Sequence, residues 1–138
     1  MFSSVYDIRF KGLSVDGNWF EGLVDFKYVG EKVAMFIGDH QVKKDTVGQY
    51  IGMDGEGEGR VMLYVGDVVL VEYKEFGKVP AVIEWDRDSR SVRLAVYDNV
   101  KAIGGKAYDT MGLDGFMDGD LERIGNVHSE ADKAVWGA

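Results

Sequence analysis

The chain has 138 residues and carries a formal net charge of −8, from 24 acidic and 16 basic residues. Its length predicts one domain, and its lack of cysteine excludes disulfides and thiolate metal sites and fits a reducing cytoplasm. The acidic balance argues against nucleic acid and anionic lipid as partners. No apolar run approaches the ~20 residues that span a bilayer, and no signal peptide is visible.

Alternating apolar and polar residues predict β-strands in the first third of the chain. Tyr6, Ile8 and Phe10 alternate with charged residues, which puts Lys11 on the polar face of a first strand. An Asp-Gly pair then predicts a hairpin turn, and residues 23–28 follow as a strand with one apolar face. Residues 33–37 are apolar on both faces, so we expect that strand to be interior.

The middle of the chain combines a turn-rich connection, an acidic loop and the clearest core strand. The connection is predicted over residues 45–52 and carries Tyr50. Alternation of Gly and acid over residues 54–59 predicts a solvated loop, which resembles half of a calcium loop but lacks the bidentate Glu at the twelfth position. Residues 61–65 are a short strand or a helical turn, which periodicity does not decide. Residues 68–73 are the predicted core strand.

The last third is predicted to hold a hairpin, an irregular segment, a final strand and a short helix. The apolar face of the hairpin is predicted to consist of Val79, Ala81, Ile83, Trp85, Val92, Leu94 and Val96. Tyr97 points away from this face, so we expect it at the surface or at a subunit contact. Residues 99–120 have no clear period, residues 121–127 form the final strand, and Ser129 caps a helix over residues 130–136.

The irregular segment over residues 99–120 is a candidate for function, because a long connection without regular structure is uncommon inside a compact domain. Its apolar side chains either pack onto the domain or contact a partner. The candidate ligand-binding residues in it are Met111, Phe116 and Met117. Tyr50 is a further candidate, since its ring either fills one end of the domain or binds a peptide.

Asp114, Asp118 and Asp120 are grouped in the same segment. Grouped carboxylates could hold a hard cation or act as general acid and base, so a metal-dependent enzyme is the alternative function. No His is near them in sequence, and His40 and His128 lack the further ligands that a zinc site requires. We therefore assign no catalytic residue, no metal ligand and no cofactor, and we expect a non-enzymatic protein.

Three motifs follow one another in a specific order. The first is an opening strand and turn over residues 8–12 and 16–22. The second is Gly-Gln-Tyr-Ile-Gly over residues 48–52, then a polar loop and Tyr-Val-Gly-Asp-Val-Val over residues 64–69. The third is Ile-Gly-Asn-Val over residues 124–127. In this order the motifs resemble the YopX-like family of bacteriophage and prophage proteins, although the Asn-Pro that usually follows the last strand is absent here.

The resemblance implies a β-rich fold with a small SH3-like barrel in its second half, an origin in a phage or mobile element, and no known reaction. We expect one all-β or mainly β domain over residues 1–138. It comprises an N-terminal β-hairpin region over residues 1–46, the barrel over residues 47–127, and a tail with the short helix over residues 128–138. The expected role is an accessory protein in the bacterial host cytoplasm that binds an unidentified protein or itself, as a homo-oligomer.

Overall fold

The structure is a computed structural model that describes residues 8–129 and Asp132. The fold is mainly β and partly barrel-like. The strands of the described part are β1 (Phe10–Leu13), β2 (Trp19–Gly22), β3 (Val24–Val29), β4 (Lys32–Ile37), β5 (His40–Val42), β6 (Gly48–Asp54), β7 (Met62–Tyr64), β8 (Asp67–Glu72), β9 (Lys78–Asp86), β10 (Ser91–Val96), β11 (Asp109–Gly112) and β12 (Glu122–Asn126). Single-turn 3-10 helices occupy Lys44–Thr46, Lys74–Phe76 and Val100–Ala102.

The strands form three antiparallel sheets. A four-stranded sheet has the order β2-β1-β6-β7, and a five-stranded sheet has the order β11-β10-β9-β8-β12. The third sheet, β3-β4-β5, is joined to the first through a bridge between Ser14 and Val42. Because β1 pairs with β6, the four-stranded sheet combines strands from both sides of the boundary that we predicted at residue 46.

Glycines set the tight turns between these strands. Gly17, in the predicted Asp-Gly turn between β1 and β2, has a φ of +87°, and Gly66, between β7 and β8, has a φ of +102°. Such values strain any residue with a Cβ atom. The turn at Gly66 also donates its backbone N–H to the carbonyl of Ile83 (2.7 Å), which ties the end of β7 to the five-stranded sheet.

Apolar side chains cover both faces of the five-stranded sheet at its centre. The main core lies on one face and consists of Leu63, Val69, Val71, Tyr73, Ala81, Ile83, Leu94, Val96 and Leu121. A smaller cluster lies on the other face and consists of Val68, Val82, Ala95, Tyr97 and Ile103. Tyr97 does face away from the main core, but it is 7% exposed, so its predicted surface position is wrong. The polypeptide after β10 folds back over this face and covers its ring.

Two strands lie where irregular structure was predicted. The turn-rich connection is in fact β6, which pairs with β1 and β7. Within residues 99–120, β11 pairs with β10 along the edge of the five-stranded sheet. Glycine-rich sequence suggested turns in both places, and these segments become strands through pairing that local periodicity does not show.

Two predictions of burial are also wrong. The run over residues 33–37 is not interior, because only Ile37 is buried and Val33 is 58% exposed. Trp85 is 56% exposed instead of packed in the core. Both residues lie on hairpin strands that extend beyond the core, and alternation along a strand does not reveal where the covering layer ends.

Part of the predicted structure lies outside the described residues. This holds for Tyr6 of the first strand and for the helix over residues 130–136, apart from Asp132. The Asp132 carboxylate accepts a hydrogen bond from the backbone N–H of Asn126 (2.9 Å). In the part of the chain that is described, no helix has the length and apolar character needed to cross a membrane.

Candidate functional site

Tyr50 lies in β6 and is 6% exposed. Its hydroxyl donates a hydrogen bond to Asp54 Oδ1 (2.8 Å) and accepts one from the Arg60 guanidinium (3.2 Å). Burial, then the bond to Asp54, raises the pKa of Tyr50, so the hydroxyl stays protonated at neutral pH. The ring packs against Tyr64 with 5.7 Å between centroids. Tyr50 therefore has little surface to offer a ligand.

The candidates in the segment after β10 have different environments. Met111 lies in β11, and Met111 and Phe116 are half-buried against the main core. Met117 is 73% exposed. Tyr50 belongs to a separate small cluster with Met62 and Tyr64, so the four candidate residues do not form one hydrophobic cluster. Packing is the dominant role of Met111 and Phe116.

The grouped aspartates support turns. Asp118 Oδ1 accepts a hydrogen bond from the backbone N–H of Asp54 (2.9 Å), and Asp120 Oδ2 accepts one from Met117 (2.8 Å). Asp114 is exposed. Across residues 8–129 and Asp132, no group of three or more His, Asp or Glu side chains is arranged to hold a metal ion. His40 stacks on Phe20 with 3.8 Å between ring centroids.

A buried ion pair was not anticipated from the sequence. Lys11 Nζ lies 2.6 Å from Asp67 Oδ1, and Asp67 also accepts hydrogen bonds from the Tyr64 backbone N–H (2.8 Å) and Asn126 Nδ2 (2.9 Å). The ammonium group sits 5.0 Å from the ring centroids of both Trp19 and Tyr64. This arrangement satisfies both charges, which is what allows them to be buried.

A polar cleft of about 380 Å³ opens above the ion pair. Its charged lining residues include Glu21, Arg60 and Arg123 as well as Lys11. The Tyr64 hydroxyl donates to Glu21 (2.6 Å), and burial followed by this bond raises the pKa of Tyr64. Arg60 contacts Asp54 (3.2 Å), and Arg123 donates to the carbonyl of Met62 (3.3 Å). Each of these three groups thus has a partner within the protein.

The hairpin of β3 and β4 carries an apolar face, defined by three directly opposed pairs: Val24 with Ile37, Phe26 with Met35, and Tyr28 with Val33. The first pair lies at the base of the hairpin, where Ile37 is buried. Farther out, the exposed fractions are 59% for Phe26, 78% for Tyr28 and 58% for Val33. Two aromatic rings and a valine therefore share one uncovered surface.

A groove of about 480 Å³ runs along this apolar face between β5 and the turn after β1. Its apolar lining includes Phe26 and Val33, and its charged lining residues among those described are Lys32, Lys43 and Lys44. In the described part of the chain, no ion pair joins these three ammonium groups to a carboxylate. An apolar groove with a basic rim is a local exception on an acidic protein.

The sequence contained part of the signal for this surface. Alternation over residues 23–28 correctly indicates that Phe26 and Tyr28 share a face, as the cross-strand pairs require. What it does not indicate is that nothing else in the described chain covers them. The three lysines come from two separate segments, and only folding brings them to one groove.

Comparison with known proteins finds no match to a protein-family model, to a curated protein or to a solved structure.

Proposed function

We propose that this protein is a non-enzymatic interaction module, and that its docking surface is the groove on the apolar face of the β3–β4 hairpin. The partner is a protein segment that presents apolar side chains flanked by Asp or Glu. The observation that carries the proposal is the uncovered pair of rings, Phe26 in the groove and Tyr28 beyond it on the same face of the hairpin, at 59% and 78% exposure. Exposed aromatic residues grouped on one patch are characteristic of interaction surfaces.

The size of the surface favours a segment over a folded domain. At 150–250 Å² per aromatic side chain, the exposed parts of Phe26 and Tyr28 together amount to on the order of 300 Å². A standard protein–protein interface buries about 800 Å² on each partner. The apolar face is too small for a stable contact of that kind, but it can hold a few side chains of a docked segment.

Charge selects the kind of segment. The groove is lined by Lys32, Lys43 and Lys44, none of which forms an ion pair with a carboxylate among the described residues. A two-fold symmetric dimer would bring the same patch of two copies together, and their lysine rims would face each other. The same lysines would instead attract an acidic segment of another protein. Self-association through this face is therefore the competing outcome.

A finer assignment rests on the sequence motifs. We infer from the ordered motifs over residues 8–127 that the protein is a YopX-like accessory protein of a phage or prophage, which acts in the bacterial host cytoplasm. The corresponding proposals for structure are a small SH3-like barrel over residues 47–127 and a helix over residues 130–136. A metal-dependent reaction at Asp114, Asp118 and Asp120 remains the alternative; a rise in melting midpoint with millimolar Mg²⁺, Mn²⁺ or Ca²⁺ would favour it.

The docking proposal is tested with a displayed library of random peptides selected against the whole protein. We expect enriched peptides to combine apolar residues with Asp or Glu, and to bind less tightly at high salt. Binding should be lost in Phe26→Ser with Tyr28→Ser, and in Lys43→Glu with Lys44→Glu. The matched control is Lys101→Glu with Lys106→Glu, two exposed lysines outside the groove, which should bind like the parent.

Three results would overturn the proposal. The first is that no peptide is enriched, and the second is that the enriched peptides bind the groove variants as tightly as they bind the parent protein. The third is a dimer in light scattering that dissociates in the Phe26→Ser variant, because the face would then be covered by a second copy of the chain. Circular dichroism of each variant verifies that the fold is retained.

A further inference from the structure

A further cavity lies on the face of the five-stranded sheet that is opposite the main core, over the smaller apolar cluster. It has a volume of about 490 Å³. Its walls are apolar and include Val82 of β9, Ile103 of the segment after β10, and Val127 after β12. Cavities of several hundred cubic ångströms with apolar walls and few polar groups are typical of sites for small ligands.

Two oxygen-bearing side chains face this cavity. They are the carboxylate of Glu84, in β9, and the hydroxyl of Tyr97, whose side chain is 7% exposed. Within residues 8–129 and Asp132, neither group has a hydrogen-bond or ion-pair partner in the protein, and the oxygens of both reach solvent, since no fully buried side-chain oxygen in this part of the chain lacks a partner. His128 is the remaining titratable residue of the lining, and it has contacts of its own.

The nearest cation in the sheet is engaged elsewhere. Arg93 of β10 is directly opposite Glu84 in the strand register. Its guanidinium donates instead to the carbonyl of Thr110 (3.4 Å), and no ion pair joins it to Glu84 in the described structure. Burial and then the Asp86 charge raise the pKa of Glu84, and burial and then the Glu84 charge raise that of Tyr97. No positive charge contributes to either shift.

We propose that this cavity binds an organic cation, namely an ammonium or guanidinium group on an apolar stem. The cation would donate hydrogen bonds to the Glu84 carboxylate, while the stem would contact Val82, Ile103 and the Tyr97 ring. A neutral ligand leaves the carboxylate without a charge partner, and an anion is repelled by it. The same chemistry is carried by a free alkylamine and by a Lys or Arg side chain of another protein.

The test is an NMR titration of the whole ¹⁵N-labelled protein at neutral pH. The probes are pentylamine and agmatine as free cations, and N-acetyl-lysine amide and N-acetyl-arginine amide as protein-like cations. Pentanol is the neutral counterpart of pentylamine. We expect saturable shifts at Val82, Tyr97 and Ile103 with a cationic probe, and binding at least ~10-fold tighter than that of pentanol, as charge-assisted hydrogen bonds provide.

Site-directed variants decide whether Glu84 is responsible. Glu84→Gln keeps the shape and one acceptor oxygen but removes the charge, and it should weaken the cationic probes ~10-fold or more while changing the affinity for pentanol much less. Glu72→Gln, at an exposed position of β8 outside the cavity, should leave all affinities unchanged.

The pattern of binding separates the two sources of the cation. Tighter binding of pentylamine or agmatine indicates a free amine, whereas tighter binding of the blocked amino acids indicates a side chain of a partner. The proposal is wrong if none of the four cations saturates, if pentanol binds as tightly as pentylamine, or if Glu84→Gln binds the cations as well as the parent does. Retained resonance dispersion in Glu84→Gln shows that a loss does not come from unfolding.

Discussion

Lys11 in β1 and Asp67 at the start of β8 form an ion pair of 2.6 Å between two different sheets, with side chains that are 9% and 0% exposed. Asp67 also holds the turn after β7, through the Tyr64 backbone N–H, and β12, through the Asn126 side chain. One carboxylate thus connects β1 and β12, which are far apart in sequence, to the adjacent strands β7 and β8. The Trp19 and Tyr64 rings lie next to the ammonium, each with its centroid 5.0 Å from it.

Removing the cation should be strongly destabilising. Lys11→Met keeps most of the side-chain volume but leaves the Asp67 carboxylate buried without its charge partner, which costs about 3–5 kcal/mol. The free energy of unfolding from urea denaturation measures this loss. Lys78→Met is the matched control, because its pair with Glu122 is 4.0 Å long and half-exposed; it should cost less than ~1 kcal/mol.

A double variant checks the reason for that loss. Adding Asp67→Asn to Lys11→Met removes the unpaired charge, so the double variant should be more stable than Lys11→Met alone. A similar cost for Lys11→Met and Lys78→Met, or a double variant that is less stable than either single one, would contradict a dominant role of the buried charge.

The sequence predicted which residues share a face better than it predicted which faces are covered. Alternation in the first strand predicted that the Lys11 side chain lies on the face opposite the apolar residues. This prediction of the face is correct. The polar face was nevertheless covered by Trp19 and Tyr64, so the lysine is buried. A cross-sheet partner such as Asp67, 56 positions away, leaves no trace in local periodicity.

The candidate docking face shows the opposite error. Phe26, Tyr28 and Val33 have the composition of a core, and they are exposed because the hairpin extends past the body of the protein. Glycine-rich stretches were harder still, since β6 and β11 become strands by pairing with other strands, and glycine-rich sequence gives no alternation that predicts it. Mainly β structure, the turn at Gly17 and the core strand β8 were confirmed, because each depends on local sequence alone.

Leu94→Ala and Leu70→Ala should differ in cost. Sequence pattern groups both residues in one core, but Leu94 is fully buried in the main core whereas Leu70 is half-buried and lies outside both clusters. Leu94→Ala should cost about 2–5 kcal/mol, since it leaves a cavity among packed side chains. Leu70→Ala should cost less than half as much. Equal losses in urea denaturation would show that Leu70 is as well packed as Leu94.

Gly48 is required for a close approach between strands. A Cβ atom on Gly48 would overlap the backbone carbonyl oxygen of Val65, which cannot rotate away. Gly48→Ala should therefore cost about 1–3 kcal/mol or more, as overpacking does, or prevent folding. Gly112→Ala is the control, because its Cβ would make only ordinary contacts, with the Arg93 side chain at 3.8 Å and the Asp114 backbone nitrogen at 3.9 Å.

Thermal melting compares the two glycine variants directly. Gly112→Ala should melt close to the parent protein, since an alanine in a strand loses less backbone entropy on folding than a glycine does. A Gly48→Ala variant that melts like the parent would mean that β6 and the turn after β7 can move apart without cost.

Glu84→Gln should raise stability at neutral pH and leave it unchanged in acid. Burial holds the pKa of Glu84 above its usual range in the folded protein, so the folded state binds a proton over a pH interval in which the unfolded state does not. The stabilising contribution of the protonated form is complete below the unfolded pKa of about 4.3 and is lost as the pH rises through the folded pKa.

The neutral glutamine does not undergo this loss. We expect a melting midpoint above that of the parent at pH 7, with the difference vanishing below about pH 4. Glu72→Gln, at an exposed position, should give no such pH-dependent gain. A Glu84→Gln variant that is less stable than the parent at pH 7 would mean that the carboxylate has a cationic partner in the free protein, and the cavity beside it would then need no ligand to compensate its charge.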